Sequence, residues 1–368
     1  MAAGVWRFEW ANATGSKWHL PLVDEATVKF RLSQAGSAEL KVPMDSAAGR
    51  QIAKSDSVSD GWGYVLVYRN DTLMQVLETE VTEVGVRDGE GVPVIGISAT
   101  ESPYQRMDGV IIEPTKPYLF PTTAGQIGTR LKTLIDANTS WGITCATPGT
   151  TVSVDPSVFE QGITLLAFIQ AWAFRASGFD FRFNPEFTVS GAGYGSTGQF
   201  YCASTIGEIK LNAKFEFGAG SKANLSAYSW KRFGGQHLCN IAAVPSNGTS
   251  GGNAVGLKTA ADVTSVATYG IRWRWITADF EDATLRQNLA DDHVAFRKNP
   301  RRVLSITPMP ETTPTAFVDY SVGDIVPVSI TDAGLSVING NVRIYGISVT
   351  IDKNGMEKIE LETSPETA

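Results

Sequence analysis

Two runs near the carboxy terminus constrain the backbone more tightly than anything else in the chain. Asn341-Val-Arg-Ile-Tyr-Gly-Ile-Ser-Val-Thr-Ile351 largely alternates one face against the other, and Lys358-Ile-Glu-Leu-Glu362 alternates charged and apolar residues strictly. A period of two suits a strand with one dry and one wet face, not a helix. Asp352-Lys-Asn354-Gly355 lies between the runs and predicts the turn of an antiparallel hairpin. Upstream, Arg302-Val-Leu-Ser-Ile-Thr307 reads as a strand followed by a proline-rich connector. Gly323-Asp324 then turns Tyr320-Ser-Val into the Val/Ile strand that ends at Ile330.

The first hundred residues follow the same rule. Trp6–Trp10, Thr27–Leu32 and Ala38–Val42 alternate, each bounded by Asn, Gly, Gln or Pro turn signals. Gly63–Tyr68 turns through Arg69-Asn70-Asp71 into Leu73–Val86, and Val92–Ser98 follows Asp88-Gly-Glu-Gly91. About six strands with short connections predict a small barrel or sandwich.

From Glu101 the pattern changes. Ile127, Leu131, Leu134 and Ile135 share one helical face in Thr123–Asp136, with Thr122 or Thr123 as N-cap and Asn138 and Gly142 at the end. A second helix, from about Gln161 to Ala176, feeds a hairpin of Phe179–Phe183, Asn184-Pro185 and Phe187–Val189. Glu208–Leu211, Lys214–Phe217, Asn224–Arg232 and Asn240–Val244 read as strands, and Ser246–Asn253 as an exposed loop. A final helix spans Asp279–Lys298, with Thr277 as N-cap and acidic residues in its first turn.

The 368 residues exceed one ordinary core, so two to four domains are expected; 43% hydrophobic and 10% aromatic residues, nine Trp among them, exclude a disordered chain. A net charge of −7 argues against general nucleic-acid binding. The one basic segment, Arg297-Lys298-Asn299-Pro300-Arg301-Arg302, sits where cations favour a helix C-terminus. Cys145, Cys202 and Cys239 are odd in number and lack metal spacing, so buried, inert thiols are expected. Ile163–Phe174 is too short to cross a membrane, and Met1-Ala-Ala-Gly lacks the pattern of a secretory signal, so no membrane anchor is expected.

Chemistry-bearing constellations are sparse. His19, His237 and His293 share no metal spacing, and Gly191-x-Gly193-x-Gly195 follows no strand-to-helix junction. Asp291-Asp292, Glu78/Glu80 and Asp24/Glu25 could serve a glycosidase but read as solvated faces. In Ile271-Arg-Trp-Arg-Trp-Ile276, strand alternation puts Trp273 and Trp275 on one face and Arg272 and Arg274 on the other, read as core Trp and surface Arg. No catalytic, cofactor or metal residue is nominated, and the expectation is a docking protein without enzymatic activity.

The order of the last pieces is more specific than any one of them. A helix with Leu285, Leu289 and Val294, a strand, a Gly323-Asp324-x-Val326 strand and an Asp352-x-x-Gly355 hairpin resemble the hub proteins of bacteriophage tails. That resemblance implies a mainly β fold with α+β insertions: two small antiparallel β-barrels and an intervening α+β region. The boundaries it implies are a barrel in 1–100, an α+β domain in 101–205 with 251–299 packed on it, and a second barrel from 206–250 and 300–368. It also implies a homotrimer in the virion, made in the host cytoplasm, which caps the tail tube and touches the distal tail or tail-tube protein, the tape measure protein and a tip or fibre protein. DNA would at most pass through its channel. Two readings compete: a carbohydrate- or receptor-binding adhesin using Tyr194, Tyr201 and Trp273, and a cell-wall hydrolase using one of the carboxylate pairs.

Overall fold

The computed structural model describes residues 4–365 except 13, 54–62, 87–92, 111–124, 151, 155–163, 174–177, 189–194, 219–221, 235–236, 246–255, 277–282, 311 and 333–334. The amino-terminal arm contains β1 (Trp6–Asn12), β2 (Lys17–His19), β3 (Ala26–Arg31), β4 (Ser37–Pro43), β5 (Gly63–Arg69), β6 (Thr72–Val86) and β7 (Pro93–Glu101). They pair antiparallel in the order β2-β1-β5-β6-β7-β4-β3. The alternation lands as expected: Ala26, Val28 and Phe30 of β3 point inward. Asn70 and Asp71, at φ of 49° and 61°, form the two-residue turn between β5 and β6, the backbone that Asn and Asp tolerate best. The run Tyr64–Val67 of β5 is covered on both faces: Val65 and Val67 enter the main core, whereas Tyr64 and Leu66 pack with Ala11 and Val76 behind it.

A short helix not anticipated from the sequence, α1 (Ala47–Ala53), follows β4, and Ser46 Oγ accepts the Gly49 N–H at 2.9 Å to start it. The α+β region contains α2 (Ser102–Asp108), β8 (Gly125–Gln126), α3 (Ile127–Ala137), β9 (Thr144–Cys145), β10 (Ser153–Val154), α4 (Leu165–Ala173), β11 (Asp180–Pro185) and β12 (Gly198–Ala203). The predicted face of α3 is buried. Gln126 precedes it without a side-chain cap, and Thr122 and Thr123 lie outside the described residues. β11 pairs with β12; of the expected partner Phe187–Val189, Phe187 packs on Tyr64, with ring centroids 5.5 Å apart, and Val189 lies outside the described residues.

The remaining elements are β13 (Phe215–Phe217), β14 (Leu225–Phe233), β15 (Ile241–Val244), β16 (Lys258–Ala261), α5 (Val263–Tyr269), β17 (Trp273–Trp275), α6 (Ala283–Arg297), β18 (Arg301–Pro308), β19 (Ile325–Asp332), β20 (Leu335–Ile351) and β21 (Glu357–Pro365). β15, β16 and β17 make their own three-stranded sheet, on which α6 packs Ala290 and Val294 against Ala242, Val244 and Ala260. The predicted N-cap Thr277 lies outside the described residues. Glu208–Leu211 forms no strand, because only Ile209 bridges to Ile325. The Asp352–Gly355 turn forms as predicted: Asp352 Oδ1 accepts the N–H groups of Asn354 and Met356 at 2.9 and 2.8 Å, and Gly355 takes φ 82°.

Both arms belong to one 13-stranded sheet, because β20 pairs with β21 and also, through Gly346–Ile351, with β3. One hydrophobic core runs through it, from Phe8 and Val28 to Ile347 and Leu361. Among the described residues strand pairing closes no ring. Each arm's open ends are nevertheless bridged: Leu20 N–H reaches the Phe8 carbonyl and Val23 N–H the Lys41 carbonyl, while Asn224 N–H bonds the Glu216 carbonyl. Among the described residues no helix is long and apolar enough to cross a membrane.

Candidate assembly joints and surfaces

Two joints fix how the parts of the chain sit together. The first links the arms. Glu357 on β21 and Arg69 on β5 pair at 3.2 Å, with side chains only 11% and 4% exposed. The same carboxylate accepts Trp6 Nε1 at 2.7 Å and Gly4 N–H at 3.4 Å. The Arg69 guanidinium lies 5.7 Å from the Trp6 ring and 5.5 Å from the Phe317 ring, and Phe317 packs on Phe30 at 4.8 Å. A buried pair held by several hydrogen bonds and two aromatic faces acts as a lock.

The second joint ties the α+β region to the carboxy-terminal arm. Arg343 on β20 donates to Asp180 on β11, to the Ile206 carbonyl at 2.8 Å and to the Gly323 carbonyl at 3.1 Å. Asp324 accepts Glu208 N–H and Ser321 N–H, each at 2.8 Å. Gly207 and Gly323, at φ of 102° and 99°, meet backbone to backbone: a Cβ on Gly207 would lie 2.2 Å from the Gly323 backbone, and one on Gly323 would lie 2.6 Å from the Ile206 carbonyl. Only glycine fits either position. Replacing Gly323 with Ala is therefore expected to destabilise the fold by about 2 kcal/mol or more. Urea unfolding would read this as a lowered midpoint, and a variant as stable as the parent would count against the close contact.

The chemistry-bearing candidates stay scattered. His19 is exposed on β2, His237 packs on Phe233, and His293 lies on α6, where burial pulls its imidazole down to about 4. Among the described residues no cluster of metal-ligating side chains occurs. Glu80 is exposed as expected and accepts Gln105 Nε2 of α2 at 2.6 Å, whereas Glu78 is half-buried and accepts Ser102 Oγ at 3.0 Å. Asp291 is bonded by Gln287 of its own helix at 3.1 Å. All three cysteines are free and buried, and burial raises the thiols of Cys145 and Cys202 to about 12. Lys298 of the basic segment pairs with Asp262 at 3.0 Å.

The tryptophan expectation is reversed. Trp273 and Trp275 are 59% and 64% exposed and Arg274 is half-buried, while Arg272 is exposed as expected. The register explains why: Arg274 stands beside Ala242, the face that α6 covers, so the tryptophans take the opposite face. Tyr201 lies in the β11–β12–β9 sheet, apart from Trp273 in the β16–β15–β17 sheet, and Tyr194 lies outside the described residues.

No family model and no curated protein matches the chain by sequence. Solved structures do match its fold. The tail protein from Neisseria meningitidis MC58 aligns with a TM-score of 0.62 at 10% identity, over 98% of this chain and 97% of that one. The 43 kDa tail protein of prophage MuSo2 from Shewanella oneidensis aligns at 0.59 and 12%, over 98% of both chains. This chain has the fold of a phage tail protein. Prophage tail protein gp18 from Listeria monocytogenes EGD-e shares it as well, at 0.52 and 14%, over 98% of this chain and 95% of that one.

On this tail-protein fold two surfaces stand out that sequence reasoning did not assemble. One is a groove of about 830 Å³ across β3, β4, β6 and β7, lined by Asp24, Glu25, Glu39, Glu83 and Asp352 against Lys41 and Lys353. The other is a hollow of about 310 Å³ at the end of β14, lined by Arg232, Tyr269, Arg272 and Pro300 and by no carboxylate. Asp24/Glu25 was visible in the sequence as a pair, but its partners come from strands and a turn far away in the chain.

Proposed function

We propose that this chain is a structural component of a phage tail or phage-like particle, the hub that closes the tail tube as a homotrimer. The observation that carries the reading is the fold match over nearly the whole length of three tail proteins. In this reading residues 1–100 form one barrel and 206–250 with 300–368 a second, while 101–205 with 251–299 make the intervening α+β domain. The bridges at Val23 and Asn224, which nearly close each arm of the sheet, support that division. Three copies then present six barrels to a sixfold tube, and cyclic symmetry makes the match.

The neighbours in this reading are the distal tail or tail-tube protein, the tape measure protein and a tip or fibre protein, with DNA at most passing through the channel of the virion. The work of such a protein is to hold surfaces at fixed spacing, and the two buried joints suit it. Light scattering over a concentration series is expected to give the mass of three chains, and electron microscopy a ring with a central hole. A monomer at every concentration would sink the proposal. The adhesin reading draws on the exposed Trp273 and Trp275, since aromatic faces stack on sugars. Under it, a soluble glycan would bind the monomer and Trp273→Ala would abolish that binding.

A further inference from the structure

Two ribbons of the sheet project beyond its core, and they carry opposite charge. In β14, the four consecutive residues Ser229–Arg232 are all exposed. Successive strand residues point to opposite faces, so both faces of this ribbon reach solvent. In β6, Thr82–Gly85 are likewise all exposed, including Val84 at 55%. Each ribbon also has a bare edge among the described residues: β14 pairs only with β18, and β6 pairs with β5 through Glu78 and beyond it only with β7. Backbone donors and acceptors along such an edge invite another strand.

The β14 ribbon is basic and aromatic. It presents Trp230, Lys231 and Arg232 beside Arg272, and in the ladder Arg232 stands directly opposite Arg302. The β6 ribbon borders the acidic groove, where Glu83 joins Glu25, Glu39, Asp24 and Asp352. Five carboxylates there face two lysines, so the groove carries surplus negative charge. A chain with a net charge of −7 thus concentrates positive charge on one projecting ribbon and negative charge beside the other.

We infer that the occupant of each surface is a second copy of this chain: the Lys231–Arg232 end of β14 and β18 in one copy packs against the Glu39–Glu83 groove of the next. This contact is heterologous, with different surfaces on its two sides, which is what a closed ring of three requires. It rests on the proposed trimer and says which surfaces make it. Charge complementarity sets the register, and apolar atoms of Trp230 and Val84 add burial.

The test uses the full chain and three variants: Lys231→Glu with Arg232→Glu, Glu39→Lys with Glu83→Lys, and all four substitutions together. Circular dichroism first compares their folds; for any variant whose spectrum changes, Arg232→Ala or Glu83→Gln takes its place. Light scattering over a concentration series then reads the half-dissociation concentration. Each double reversal is expected to raise it by at least about 10-fold, because like charges then meet. The fourfold variant, complementary again, is expected to return towards the wild-type value, and the wild-type oligomer to weaken as salt rises. A wild-type trimer indifferent to both reversals would overturn this contact and leave the trimer standing. Dissociation by both reversals without recovery in the fourfold variant would also overturn the pairing. A monomeric wild type would overturn the contact and the trimer together.

Discussion

Replacing Glu357 with Ala is expected to destabilise the protein by about 3–5 kcal/mol, because it leaves Arg69 charged and buried without its counter-ion. Arg69 is 4% exposed and holds its place between the rings of Trp6 and Phe317, so it has no route to water without opening the packing. The substitution also takes the acceptor from Trp6 Nε1. Removing both charges tells the lock apart from mere packing: Arg69→Met with Glu357→Leu fills a similar volume and leaves no orphaned charge. The double variant is expected to be more stable than Glu357→Ala alone, and a thermodynamic cycle through the single variants Arg69→Met and Glu357→Leu to show a coupling of more than about 1 kcal/mol. Urea unfolding at neutral pH measures all of them. Additive single effects would mean that the pair does not lock the arms.

That lock was invisible in the sequence, since its partners are separated by 288 residues. What could be read was local. The Asn341–Ile351 and Lys358–Glu362 runs and the Asp352 turn announce their hairpin because period, face and turn chemistry all lie within a few residues. The helices α1 and α2 span seven residues each, too few for an apolar period to repeat. β12 was missed as the partner of β11 because no tight turn joins them. The tryptophan pair failed for a different reason. Alternation correctly separated Trp from Arg, but which face is dry depends on where α6 lands. Gly323 declared itself through Gly-Asp, yet the need for glycine at 207 exists only where the two backbones meet.

Raising the pH is expected to weaken the protein through one carboxyl group. Glu101 joins the end of β7 to α2, where burial lifts its carboxyl from 4.5 to about 7 even though the Gly36 N–H donates to it at 2.9 Å. Below the unfolded value both states hold the proton, and folding is unaffected. Between 4.5 and about 7 the unfolded chain releases it while the folded chain retains it, so stability falls with rising pH; above that window the loss is complete. The loss amounts to about 3 kcal/mol in all. His293 acts in the opposite sense, because an imidazole lowered from 6.5 to about 4 makes stability rise with pH across that interval. The wild-type curve alone mixes the two groups, and comparison with Glu101→Gln separates them. Glutamine keeps an oxygen for the Gly36 N–H and never ionises. Unfolding in urea is expected to give similar stabilities for the two proteins near pH 4, with the variant ahead by about 3 kcal/mol near pH 8. If their difference stayed constant across the range, Glu101 would be titrating as an ordinary carboxylate and the buried environment at the β7–α2 junction would be wrong.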